Sequence, residues 1–251
     1  MKIKLLLIST ILCISIHAEK KYNIGVLIVA TWKYISFIPP LLESARKYFV
    51  PEHNVSFFIF TDQYLTNSND VKRLDATRKG WPHDTLMRYH EYLKYENEFK
   101  NMDYLFACDA DILFTDHIGE EVLGNRVAIP HDVFLGRRGT YENSSKSSAC
   151  VHNHEGVYYF SGAFVGGQRD SFLKMCKNIK QLIDVDLSKG IIAVHNDESY
   201  LNRELINNPP TIVLSTCYGW PDNREPRVKP KMLFLSKKHS EFQVPLKSRR
   251  R

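Results

Sequence analysis

The sequence lacks an apolar run long enough to cross a bilayer. Its longest, Leu5 to Ile16, holds about twelve residues against the roughly twenty that a hydrocarbon core requires. Zinc-binding spacing is also missing. Of five cysteines, Cys13 lies within that run, and Cys108, Cys150, Cys176 and Cys217 stand far apart in no metal-binding pattern. No stretch alternates basic and aromatic residues as a nucleic-acid recognition element does, which argues against a nucleic-acid partner despite a formal net charge of +6. Internal repeats, low-complexity linkers and shifts of composition are absent too, so the 251 residues read as one domain behind a short leader.

What is present begins with that leader. Lys2 and Lys4 precede the apolar run and Ala18 offers a small residue for cleavage. Residues 1–18 are therefore expected to form a signal peptide, with an uncleaved signal anchor as the second choice. Either delivers the chain to a secretory or exported compartment (Golgi lumen or membrane in a eukaryote), and an anchor adds membrane association through the N-terminus. The four remaining cysteines are free to pair there, although their spacing selects no pairing. Asn54-Val55-Ser56 and Asn143-Ser144-Ser145 are acceptor triplets for N-glycosylation. With 43% hydrophobic and 25% charged residues the rest can build a packed core. The basic balance suits an anionic ligand, such as a phosphorylated donor or a membrane surface.

Tyr22 to Ala30 is an apolar, β-branched run, the pattern of a strand buried on both faces. Pro39 and Pro40 open a helical pattern with Leu41, Leu42, Ala45 and Tyr48 on one side. Val55 to Thr61 reads as a second strand, Asp84 to Phe99 as a helix and Tyr104 to Ala107 as a third strand. Further on, Val127 to Pro130 and Val157 to Val165 are strand candidates, and Ser171 to Ile183 has helical spacing. Asn196 or Asp197 can cap a helix running to Leu205, and Thr211 to Leu214 completes the set. Strands alternating with helices predict an α/β fold of three layers with a mostly parallel central sheet.

Four constellations carry chemistry. Asp109-Ala110-Asp111 follows the strand at Tyr104 directly, and ligands of open α/β sheets bind beyond the carboxyl ends of strands. Residues two apart in an extended chain share a face, so both carboxylates can address one site. A hard divalent cation between them would relieve their repulsion, bridge to a diphosphate and neutralise charge on a departing nucleotide; isolated triplets of this kind are usually surface turns. Asn196-Asp197-Glu198-Ser199 puts two acids in a helix's first turn, where the dipole favours ionised carboxylates. The plain reading is helix stabilisation. The functional one sets a carboxylate near an anomeric carbon, as nucleophile or as stabiliser of an oxocarbenium-like state. Glu155 to Gly167 combines Tyr158, Tyr159 and Phe160 with the small residues Ser161, Gly162 and Ala163, which permit close backbone packing or close approach of a sugar. Lys247-Ser248-Arg249-Arg250-Arg251 is a solvated tail by default and a pyrophosphate clamp by function. Arg88 is a further phosphate contact or a salt-bridge partner.

Together, from about Tyr22 to the C-terminus, these segments resemble the retaining α-1,3-galactosyl- and N-acetylgalactosaminyltransferases that include the blood-group A and B enzymes. The resemblance rests on Phe106 to Asp111, Tyr141-Glu142, Glu155-Gly156, Tyr158 to Gly167, Asp197-Glu198-Ser199 with Leu201-Asn202, and Leu214-Ser215 followed by Tyr218 and Trp220. It implies a single-domain nucleotide-diphospho-sugar transferase fold over residues 22–251, a UDP-sugar donor and a glycan acceptor (glycolipid, glycoprotein or oligosaccharide). Asp109 and Asp111 would hold Mn²⁺, or Mg²⁺, together with UDP. Tyr34 and Arg88 would contact the nucleotide, Asp197 the donor sugar, and Glu198 would lie under the reacting carbon. Ser161, Gly162 and Ala163 fall where the family selects galactose or N-acetylgalactosamine. Ala163 is compatible with galactose, and Ser161 leaves additional room. Asn196 stands where the family has His. The alternative reading is a carbohydrate- or nucleotide-sugar-binding module without turnover.

Overall fold

The strand at Tyr22 forms because its residues alternate between two buried faces. In the computed structural model, which describes residues 20–242, this is β1 (Asn23–Val29). The leader and the Lys247–Arg251 run lie outside the described residues. The chain continues through β2 (Asn54–Thr61), β3 (Val71–Asp75), β4 (Tyr104–Cys108), β5 (Ile112–Phe114), β6 (Val127–Pro130), β7 (Phe160–Gln168), β8 (Ile212–Val213), β9 (Trp220–Pro221) and β10 (Met232–Phe234). The main sheet runs β3-β2-β1-β4-β7-β6-β8, and β5-β10-β9 make a small second sheet. The first four strands of the main sheet are mutually parallel, as is β6 with β8, whereas β7 lies antiparallel to β4 and β6.

Five α-helices are described: α1 (Ile38–Tyr48), α2 (His83–Leu86), α3 (Arg88–Lys94), α4 (Arg169–Leu187) and α5 (Asp197–Asn207). The period of two along a strand sorts the core into two halves. Ile24, Val26 and Ile28 of β1, with Phe106 of β4, pack on the side of α1. Leu27, Leu105 and Ala107 point the other way, to Tyr89, Tyr92, Phe172, Ile179 and Leu201 of α3, α4 and α5. The result is the three-layer α/β architecture, with Phe106 and Phe164 stacked 5.2 Å apart at its centre and Phe49 edge-on to both.

Three local expectations shift. The helix read over Asp84 to Phe99 is α2, α3 and a 3₁₀ turn at Glu96–Phe99, because Met87 and Tyr95 leave helical geometry with ψ of 8° and 23°. The first break starts α3 at Arg88, whose guanidinium is drawn into buried ion pairs. The strand read over 157–165 lies at 160–168. Gly156 turns the chain with φ of +82°, and β7 runs on through Gly166, where a Cβ would come within 2.2 Å of Phe106 Cδ1 and 2.5 Å of the Leu105 carbonyl oxygen. Only glycine lets β7 lie this close to β4. Finally, the Asn196 side chain makes no capping hydrogen bond to α5. Ser199 Oγ instead accepts from the His195 N–H at 3.0 Å. The four cysteines 108, 150, 176 and 217 are free thiols.

Candidate active site

Beyond the carboxyl end of β4 the chain turns at Asp109. Its N–H donates to the Ala163 carbonyl at 2.8 Å, fixing the acidic turn against β7 and facing Ser161-Gly162-Ala163. Asp109 and Asp111 both line a cavity of about 350 Å³ with Trp32, Tyr34, Arg78, Arg88 and Lys237. The two acids expected to address one site therefore do so. Tyr34 stands in the 3₁₀ turn Trp32–Phe37, its ring 5.0 Å from the Lys237 ammonium and 4.8 Å from the Phe242 ring. Lys237 also pairs with the Asp111 carboxylate. Burial lowers its pKa, but Asp111 and Tyr34 together hold it above the usual lysine range.

Arg88 links this cavity to the second acidic pair. Its Nη1 donates to Asp109 Oδ1 at 2.8 Å and to the Gly162 carbonyl at 3.3 Å, and its Nε lies 3.0 Å from Asp197 Oδ2. The side chains of Arg88 and Asp197 are each only 9% exposed, so neither charge is tolerable without the other. Arg88 thus lines the cavity as a buried bridge between two carboxylates, neither a surface ion pair nor a group turned wholly toward a phosphate. Burial pushes the Asp197 carboxyl up and Arg88 pulls it back. The Asp109 and Glu198 charges raise it further, to about 6.

Glu198 is held from two sides. The Tyr159 hydroxyl donates to Oε1 and the Gly162 N–H to Oε2, both at 2.8 Å. Burial and the Glu198 charge push the Tyr159 hydroxyl well above the usual tyrosine range, so it stays a proton donor. A Cβ added at Gly162 would lie 3.5 Å from Glu198 Oε2 and 3.7 Å from Asp197 Oδ2. The bare glycine is thus the floor on which both carboxylates converge. Ser161 is buried, with its Oγ accepting from the Ala163 N–H at 3.3 Å, and Ala163 is half-buried beside it.

Helix α5 is docked onto β7 by Asn202. Its Nδ2 donates to the carbonyls of Phe160 and Glu198, each at 2.9 Å, and its Oδ1 accepts from the Phe160 N–H at 2.8 Å. Ahead of the helix, the Glu198 N–H donates to the His195 carbonyl at 3.1 Å across a tight turn. Asn196 sits at its second position with φ 48° and ψ −126°, the geometry of a type II′ turn that favours glycine. Tyr159, Asn202 and Lys237 are the parts of the site that residue reading missed. Tyr159 looked as much like core as like a sugar platform, Asn202 appeared only inside a motif, and Lys237 has no local pattern at all.

The donor set suits a hard cation. Among the described residues no cluster of three or more His, Cys, Asp or Glu side chains forms, so Asp109 and Asp111 offer two carboxylates and no closed cage. Mg²⁺ and Mn²⁺ are commonly held this way, by one or two carboxylates with substrate phosphates completing the shell. One condition attaches: Lys237 must give up Asp111.

A three-layer α/β fold with a cavity lined by Asp109, Asp111, Arg88 and Lys237 at the carboxyl ends of its strands defines the class, a nucleotide-sugar transferase fold of one domain. The sequence matches glycosyltransferase family 6 over residues 9–244, and the chain belongs to that family. It is 33% identical over 225 residues to human globoside alpha-1,3-N-acetylgalactosaminyltransferase 1, covering 84% of this chain and 65% of the relative. Against rat histo-blood group ABO system transferase 1 the identity is 34% over 216 residues, covering 79% and 61%. The Escherichia coli O-antigen biosynthesis glycosyltransferase WbnI is 25% identical over 228 residues, covering 87% of this chain and 97% of its own length. The chain thus spans less than two thirds of the human and rat relatives.

Proposed function

We infer that this protein is a retaining hexosyltransferase that moves galactose or N-acetylgalactosamine from a UDP-sugar onto a galactoside-type glycan in α-1,3 linkage. The observation that carries the reading is the convergence of Asp197 and Glu198 on Gly162, joined through Arg88 to Asp109. One end of this array suits a diphosphate and the other a sugar ring. The names of the relatives, which act on globoside, blood-group or O-antigen glycans, support a glycan acceptor borne on a glycolipid, glycoprotein or oligosaccharide.

In this reading Tyr34 and Arg88 bound the nucleotide end, and Asp197, charged and pinned by Arg88, holds sugar hydroxyls. Glu198 faces the anomeric carbon as nucleophile or as stabiliser of positive charge, its orientation fixed by Tyr159 and Gly162. Asp109 and Asp111 would hold Mn²⁺, or Mg²⁺, which supplies charge neutralisation on the departing UDP when bound. Ser161, Gly162 and Ala163 shape the room beside the donor sugar. Residues 1–18 are proposed as signal peptide or anchor and residues 22–251 as the catalytic domain, in the secretory pathway or exported. Among the described residues no helix is long and apolar enough to cross a membrane.

The test is UDP release from UDP-galactose and UDP-N-acetylgalactosamine, with lactose as acceptor and Mn²⁺ present. Asp111→Asn and Glu198→Gln are each expected to lower the rate by about 10²-fold or more. Rates matching the unsubstituted protein would remove both residues from the chemistry. Tight UDP-sugar binding with no release by the native protein would instead support a binding module.

A further inference from the structure

Behind α5, on the side turned away from Glu198, lies an acid that the chemistry above does not use. Asp186 is 0% exposed and stands in the last turn of α4. Its Oδ2 accepts from Ser147 Oγ at 2.5 Å and from the Tyr200 hydroxyl at 3.0 Å, and its Oδ1 accepts from the Ser148 N–H at 2.8 Å. All three partners are neutral. A carboxylate buried without a cation carries a large desolvation cost, and the negative end of a helix adds repulsion. The α4 positions one and two turns earlier, Ile183 and Ile179, are buried and apolar, so a leucine at 186 would extend an existing interface at lower cost.

What the acid adds is direction. Apolar packing lets a helix turn about its axis, whereas a hydrogen bond restricts that turn. At 3.6 residues per turn, Asn202 projects about 40° round α5 from Glu198, and Tyr200 about 200°. Asn202 therefore fastens the front of the helix to Phe160 of β7, and Tyr200 fastens its back to Asp186. The Tyr200 hydroxyl also hydrogen-bonds the Ala193 backbone, and the Ile191 N–H donates to the Asp186 carbonyl at 2.9 Å. The chain that leads into Asn196 is thus tied to the same point. Burial and the Asp186 charge push the Tyr200 hydroxyl above the usual tyrosine range, which keeps it the donor.

We propose that Asp186 is a positioning residue for sugar transfer: through Tyr200 it fixes the rotation of α5, and with it the direction in which the Glu198 carboxylate meets Gly162. The kinetic consequence rests on the transferase reading. The geometry of Glu198 can be read without it.

The experiment compares three variants of the full chain. Tyr200→Phe and Asp186→Asn disturb the link to α5, whereas Ser147→Ala removes a bond to the same carboxylate on the side away from that helix. In UDP release with lactose and Mn²⁺, kcat is expected to fall about tenfold or more in the first two and to stay within about twofold of the native value in Ser147→Ala. An acid that only stabilised the fold would make Tyr200→Phe and Ser147→Ala alike, with kcat following the melting temperature. The second readout is the NMR shift of the Gly162 amide proton, which its hydrogen bond to Glu198 holds downfield. It should move upfield in Tyr200→Phe and stay in place in Ser147→Ala. Native kcat in Tyr200→Phe, equal losses in Tyr200→Phe and Ser147→Ala, or an unmoved Gly162 amide overturns the proposal. Should Asp186→Asn fail to fold, the other two variants carry the comparison. Should the native protein release no UDP, the transferase reading fails, and the Gly162 amide alone decides the positioning role.

Discussion

Charge at single residues decides what this site can do. Asp197 is the sharpest case, since burial with Asp109 and Glu198 nearby brings its carboxyl to about 6 in spite of Arg88. If its ionised form grips the donor sugar, kcat/KM for UDP-sugar cleavage should fall tenfold per unit below about pH 6, and Asp197→Asn should flatten that limb while lowering the plateau. The stability linkage has the opposite sense. The folded chain holds this proton more tightly than the unfolded chain, so the group favours folding fully below the ordinary aspartate value, an advantage lost as pH rises through about 6. A profile whose acid limb lies near 4 would separate Asp197 from donor binding. The doublet itself was legible in the sequence, because acids at a helix start are recognisable. Its partner Arg88 reads in the sequence as a phosphate contact or a surface salt-bridge partner; that it is a buried bridge between two carboxylates depends on what surrounds it.

Among elements, the turn into α5 stores strain. Asn196 occupies the II′ position with φ of 48° and makes no capping bond, so its conformation is held by the His195–Glu198 hydrogen bond and by Asn202 behind it. Asn196→Gly should raise the unfolding free energy read by denaturant titration by about 1 kcal/mol, and Asn196→Val should lower it by about 1–3 kcal/mol with loss of activity through a misplaced Glu198. Equal stability for the two variants would mean that the turn is not strained. Here sequence reading was partly right. It placed the start of α5 to within a residue, since acids before an apolar period mark it, with Asn196 or Asp197 as cap, but the Asn196 side chain at the N-cap position makes no capping hydrogen bond. Likewise, of the face expected for a long helix over 84–99 (Leu86, Tyr89, Leu93 and Glu96), Leu86 and Tyr89 are buried, Leu93 and Glu96 only half-buried, and the helix is not continuous. The break at Met87 sets Arg88 at the start of α3, where it pairs with Asp109 and Asp197.

Across the whole molecule, the segment after β10 returns to the cavity and lays Lys237 on Asp111, with Phe242 on Tyr34 and Phe37. A cation at Asp109 and Asp111 must displace that ammonium. Lys237→Met should therefore bind Mn²⁺ a few-fold more tightly without nucleotide, read by calorimetry, because one competitor for the carboxylate has gone. An unchanged affinity would place the cation elsewhere. The sequence by itself determined the layered α/β class, the main buried strands and the two acidic pairs, because side-chain periodicity and residues set beside a strand end or a helix start are local properties. Only the tertiary structure decided that residues 88, 109, 162, 197 and 198 form one array. Arg88 meets Asp109 across 21 positions and Gly162 across 74, distances in sequence that the register of β4 on β7 closes and that no local pattern encodes.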